Sequence, residues 1–166
     1  MYKDLIKAIV AVAVIIAAAR AAKGRKAEKA VLLAAAAVFL TGLFYCVMIR
    51  GGRNGLSGVS FKLPLPFWHA VKAGHYGITT NRSVLNILLF VPFGYLLPRF
   101  ITLAKPGEKV RWWQITALGF IASLLIETAQ LVFSRGIFEL DDLVKNTLGA
   151  AAGYALWRIM DRSDGV

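Results

Sequence analysis

The chain has 166 residues, 58% of them hydrophobic and 17% charged, with a mean hydropathy of +0.62 and a formal net charge of +11. That balance excludes an ordinary water-soluble domain, and the length leaves room for a single domain over 1–166 and little else. The basic residues sit in short loops between apolar segments and no nucleic-acid motif is present, so the charge points to membrane topology and anionic lipid instead. The one cysteine, Cys46, lies in an apolar run and leaves no intrachain disulfide to form.

Five apolar stretches approach or reach the roughly 20 residues that a membrane-spanning helix needs. The expected fold is therefore all-α, a polytopic membrane bundle of about five transmembrane helices. The first stretch, residues 5–22, has an uncharged centre, Ala8 to Ala19, preceded by Lys3 and Lys7 and followed by a basic linker with Arg20, Lys23, Arg25, Lys26 and Lys29. It also fits a cleavable signal peptide, but Asp4 and the basic cluster after its centre favour an anchor. Residues 30–49 follow without a charge, and Ala34 to Ala37 with Gly42 would let neighbours approach closely. The longest loop, 50–82, holds a Pro-interrupted aromatic segment, residues 61–68, that cannot form a regular helix and suits the headgroup level, with Trp68 as anchor. The third span, 83–104, contains Pro92 and Pro98, and Pro92 should kink or break it near Leu88. The fourth, 112–133, starts at Trp112-Trp113; the loop 134–141 then leads to the fifth, 142–160.

Five spans place the termini on opposite sides. One side collects eleven Lys and Arg in two compact loops and the C-terminus, and the other spreads nine over about twice the length. The N-terminus is accordingly expected outside and the C-terminus in the cytoplasm.

Polar residues concentrate between Glu127 and Gly153, where Glu127, Gln130, Arg135, Glu139, Asp141, Asp142 and Asn146 occur. An Asp, Lys or Arg at the centre of a membrane helix costs about 2.5–3.5 kcal/mol, so such groups need a shared partner or a water-filled cavity. The third span begins, the fourth ends and the fifth begins on the same side. Asn86, Glu127, Asp142 and Asn146 then share one depth, within about 5–9 Å of the span ends at 1.5 Å per residue. They share faces as well. Thr116, Gly119, Ser123, Glu127, Gln130 and Ser134 form one stripe on the fourth span, and Asp142, Asn146, Gly149 and Gly153 form another on the fifth. The two stripes are expected to face each other and bury Glu127 beside Asn146, in a pocket open to one membrane surface.

A plainer reading competes with this one. Asn86, Gln130 and Asn146 would serve equally as fasteners between helices, and Gly149-Ala-Ala-Ala-Gly153 as a packing motif. Arg135 could pair with Asp141 or Asp142 in the loop, and Asp141 with Lys145 on an exposed helix face. Glu127 stands apart, because no Lys or Arg lies in its own span to neutralise it. His69 and His75 lack a helical ligand spacing and a cysteine partner, so zinc is not expected. No cofactor is implied, although Glu127, Asp141 and Asp142 could offer oxygen ligands to a divalent cation.

The segment Asn86-Ile-Leu-Leu-Phe90-Val-Pro92-Phe-Gly94 followed by Pro98 resembles the first signature of the VanZ-like family of small bacterial membrane proteins. Glu127-x-x-Gln130, Arg135, Phe138, Asp141-Asp142 and Asn146-Thr-Leu-Gly149-x-x-x-Gly153 resembles the second, and Glu139 stands where an aspartate is common. The resemblance implies a helical integral membrane protein of the bacterial cell envelope, in a family whose founding member is associated with resistance to the lipoglycopeptide teicoplanin. It implies no established reaction. It does select Asn86, Glu127, Gln130, Arg135, Asp141, Asp142 and Asn146, of which Glu127, Gln130, Asp142 and Asn146 lie on the two stripes.

The expected function is an outward-facing acidic pocket that binds or acts on a lipid-linked cell-wall precursor. In its enzymatic form Glu127 is a general acid/base, Asp141 or Asp142 orients a hydroxyl or cation, and Arg135 contacts phosphate, with Asn86, Gln130 and Asn146 binding the ligand. The rivals are a non-catalytic membrane protein that binds the lipoglycopeptide or masks its target, and a small transporter. The transporter is disfavoured because the polar stripe thins beyond Ser123.

Overall fold

A computed structural model describes residues 2–45, 58–60, 78–134 and 137–162. Five helices hold most of them: α1 (Tyr2–Ala21), α2 (Glu28–Phe44), α3 (Ile78–Ala104), α4 (Trp112–Val132) and α5 (Leu140–Arg162). Two strands of three residues, β1 (Gly58–Ser60) and β2 (Ile137–Glu139), pair in parallel with Val59 opposite Phe138. The aromatic segment 61–68, His69 and His75 lie outside the described residues.

Within α3 and α4, Val84–Ala104 and Trp112–Val132 are each 21 residues with a mean hydropathy of 1.8, long and apolar enough to cross a membrane. At 1.5 Å per residue each reaches about 31 Å, the thickness of a bilayer's hydrocarbon core. The outer face of α4 is apolar too. Leu118, Phe120, Ile121, Leu125 and Val132 of α4 are exposed, a surface that water would not favour.

Helix α3 departs from expectation at its start, Ile78, five residues before the apolar stretch; of the kink or break expected from Pro92, the break does not occur, and the helix is continuous through Leu88, Pro92 and Pro98. Both prolines are fully buried, so their missing donors lie among packed neighbours and not against lipid. A second departure concerns α2, where nothing lies within 4 Å of a side-chain carbon placed at Gly42. No close approach occurs there among the described residues.

Helix α5 lies against both α3 and α4, and among the described elements its contact with α3 is the most extensive. A Cβ at Gly149 would strike the carbonyl oxygen of Ile87, and one at Gly153 the carbonyl oxygen of Val91. One at Gly94 would strike the Ala150 carbonyl. The Gly149–Gly153 motif thus seats α5 on α3, and not on α4 as the facing stripes implied. The neighbouring face of α5 meets α4, with Ala150 against Gly119 and Asn146 against Ser123. One turn of helix separates the two uses, since Gly149 and Asn146 are three residues apart.

Away from these contacts, Ile15, Ile16 and Ala19 of α1, Leu32, Ala35 and Phe39 of α2, Tyr95 and Leu96 of α3, Ile115 of α4 and Trp157 of α5 form the apolar core. At the end of the bundle that carries the α1–α2 turn, the core is closed by ions. Arg99 donates to Glu28 at 2.5 Å and to Asp161 at 3.4 Å, and Lys23 reaches Asp161 at 2.8 Å. The Gly24 N–H donates to the second Glu28 oxygen at 2.7 Å, from a residue whose φ of 72° suits glycine. This cluster ties the α1–α2 turn to the ends of α3 and α5.

Candidate functional site

The opposite end of the bundle gathers the polar residues of α3, α4 and α5. Glu127 lies one and a half turns from the end of α4 and is only 3% exposed, so α5 and the preceding strand cover it. Its Oε2 accepts the backbone N–H of Glu139 at 3.1 Å. That donor is in place because β2 pairs with β1 and leads straight into α5 at Leu140, after Ser134 turns the chain with a φ of 52°.

Asp142, in the first turn of α5, is held by the Asn86 side chain of α3. Glu139 and Asp142 both stand close enough to Glu127 for their charges to act on it. One turn deeper, Asn146 donates to Ser123 Oγ at 2.9 Å, with both side chains buried. The Oδ1 of Asn146 is buried without a partner among the described residues. Three helices therefore contribute to one chain of contacts, Asn86 to Asp142, Asp142 beside Glu127, and Asn146 to Ser123.

The remaining candidates divide. Asp141 pairs with Lys145 one turn along α5, and both are half-buried rather than on an exposed face. Gln130 is half-buried one turn nearer the end of α4. Arg135 lies outside the described residues. Among the described residues no group of three or more His, Cys, Asp or Glu is arranged to hold a metal ion. What the arrangement offers is a set of acceptors with few donors, suited to hydroxyl or amine groups.

Two contributors escaped the sequence. The Glu139 N–H is a backbone group, visible only once the β1–β2 pairing is known. Ser123 lay on the predicted stripe, but nothing in its type distinguished it from Thr116 as the partner of Asn146. The Ser123–Asn146 bond should couple by roughly 0.6 kcal/mol, the average for such bonds between membrane helices. A double-mutant cycle with Ser123→Ala and Asn146→Ala, read by unfolding in detergent, measures it; no coupling would place the bond elsewhere.

This arrangement sits on the residues that carry the family signatures. The sequence model of the VanZ/LLP1 family matches residues 30–161. The chain belongs to the VanZ/LLP1 family. Among curated VanZ relatives, Protein VanZ of Enterococcus faecium is 24% identical over 127 residues, covering 76% of this chain and 73% of that protein. No solved structure matches this VanZ-family chain. The match takes in nearly all of α2 and then α3 to α5 and leaves the whole of α1 outside, so the site and the α3–α5 contact belong to the shared part.

Proposed function

We propose that this VanZ-family protein crosses the bacterial plasma membrane five times and uses its acidic end to bind or act on a lipid-linked envelope precursor. The N-terminus is outside and the C-terminus cytoplasmic, which turns Glu127, Glu139 and Asp142 toward the outer leaflet. The proposed role follows the family's founding member, in resistance to the lipoglycopeptide teicoplanin. One observation carries the reading. A carboxylate 3% exposed, near the end of a helix apolar enough to cross a membrane, stands beside two further carboxylates and has a backbone N–H as its bond. Groups of this kind are costly in lipid and are retained where they do chemistry or binding. Glu127 acts as general acid/base toward a hydroxyl of the precursor, Asp142 orients that hydroxyl, and Arg135 meets its phosphate.

The test is a teicoplanin-susceptible host carrying the wild-type gene, Glu127→Gln or Asp142→Asn. Loss of a general acid or base costs roughly 10²–10⁴-fold in rate. Both variants should therefore fall to the susceptibility of the empty host while accumulating in the membrane at wild-type level. Full resistance in both would remove the acid/base assignment. Sensitivity confined to Trp68, residues 63–67 and Arg135 would favour the non-catalytic binder.

A further inference from the structure

Near the opposite end of the bundle, a groove of about 350 Å³ lies between α4 and α5. Its lining is Trp112 and Thr116 from α4 with Ala151, Tyr154, Ala155, Arg158 and Ile159 from α5. The small side chains are what open it, since Ala151 and Ala155 fall one turn apart on the same face of α5. The wall is fixed. Tyr154 donates its hydroxyl to the Val110 carbonyl at 2.9 Å and its ring lies 5.5 Å from that of Trp157. Thr116 turns its hydroxyl back to the Trp112 carbonyl at 2.9 Å, so both lining hydroxyls spend their donors within the protein. The groove therefore presents an apolar floor.

Its one charge is different. Arg99, Lys23 and Arg20 are engaged near the α1–α2 turn, whereas Arg158 is exposed and has no bond or ion pair among the described residues. A cation at the rim of an apolar trough, beside a Trp that is 64% exposed, matches an amphiphile with an anionic head and a hydrocarbon tail. The volume is within the roughly 300–1,000 Å³ of ligand sites. We infer that the α4–α5 groove is a binding site for an anionic phospholipid, with one acyl chain along Ala151 and Ala155 and the phosphate on Arg158. This site rests on membrane insertion alone and is independent of the Glu127 end.

The full chain, purified in mild detergent and delipidated, is titrated with phosphatidylglycerol and with phosphatidylcholine of the same acyl chains and read by native mass spectrometry. Wild type should retain phosphatidylglycerol several-fold over phosphatidylcholine. Arg158→Gln should equalise the two, Arg158→Lys should keep the preference, and Ala155→Phe, at an exposed position that fills the trough, should remove both. Arg25→Gln, an exposed charge in the α1–α2 turn, should change nothing. An Arg158→Gln protein that keeps its preference would overturn the site, as would displacement of the lipid by inorganic phosphate alone. Failure of the resistance test with an intact lipid preference would count against the Glu127 reading only.

Discussion

Replacing Glu28 with Ala should destabilise the protein by roughly 3–5 kcal/mol, the cost of leaving a buried charge without its partner. The side chains of Glu28 and Arg99 are each 10% exposed, and their 2.5 Å contact is reinforced by the Gly24 N–H on the far oxygen. Asp161 cannot take over, because it stands 3.4 Å from Arg99, is a third exposed and already serves Lys23. A cation in this position is tolerated because α2 and α5 both supply it with a carboxylate. Removing both charges is a different matter. A Glu28→Leu, Arg99→Met protein should regain most of the loss, since well-packed apolar replacements of buried pairs are often neutral. Reversible unfolding of the purified protein measures both. A cost for Glu28→Ala below about 1 kcal/mol, the range of exposed pairs, would mean that water reaches the cluster.

The second large effect is expected at Gly149 and Gly153. Alanine at either position drives its methyl into a backbone carbonyl of α3, at Ile87 or Val91, which no rotamer change relieves. Overpacking of this kind costs about 1–3 kcal/mol, with leucine costing more because the helices must part. Parting α3 from α5 also separates Asn86 from Asp142, so the resistance phenotype should fall along with stability. Gly42→Ala is the control. That glycine is inside α2 with open space beside it, and alanine there should stabilise by roughly 0.5–1 kcal/mol through helix propensity. Thermal unfolding of the three variants decides the matter. Equal effects at positions 42 and 153 would mean that the α3–α5 contact is looser than described.

Five helices were legible because apolar length is a strong signal. The fourth stretch ended within one residue of α4, and the fifth within two residues of α5 at each end. The start of α3 was not legible, because apolarity marks where a helix meets lipid, while residues 79–82 are polar and still helical. The β1–β2 ladder could not be read, since three-residue strands have no period to detect. For the polar end, the direction of successive spans was enough to group Asn86, Glu127, Asp142 and Asn146 at one depth. It did not say which helix the glycines faced. A stripe of small residues marks close approach without naming the neighbour, and here Gly149 and Asn146 serve different helices. The Glu28–Arg99–Asp161 cluster was missed for a related reason. Its members belong to three separate helices and have no shared spacing in the sequence, although all three lie at the same end of the bundle.

Helices α3 and α5 run in the same direction and are fastened to each other twice, by Asn86 to Asp142 near their starts and by Arg99 to Asp161 near their ends. On α5 these points are nineteen residues apart, about 28 Å at 1.5 Å per residue, close to the full depth of a bilayer. A rod pinned at both tips cannot piston or swivel without releasing a charged contact, and the glycine seats between the pins forbid a slide of one turn. Among the described residues, the elements at the acidic tip that carry neither pin are α4 and the two strands, while α3 and α5 travel as a single strut.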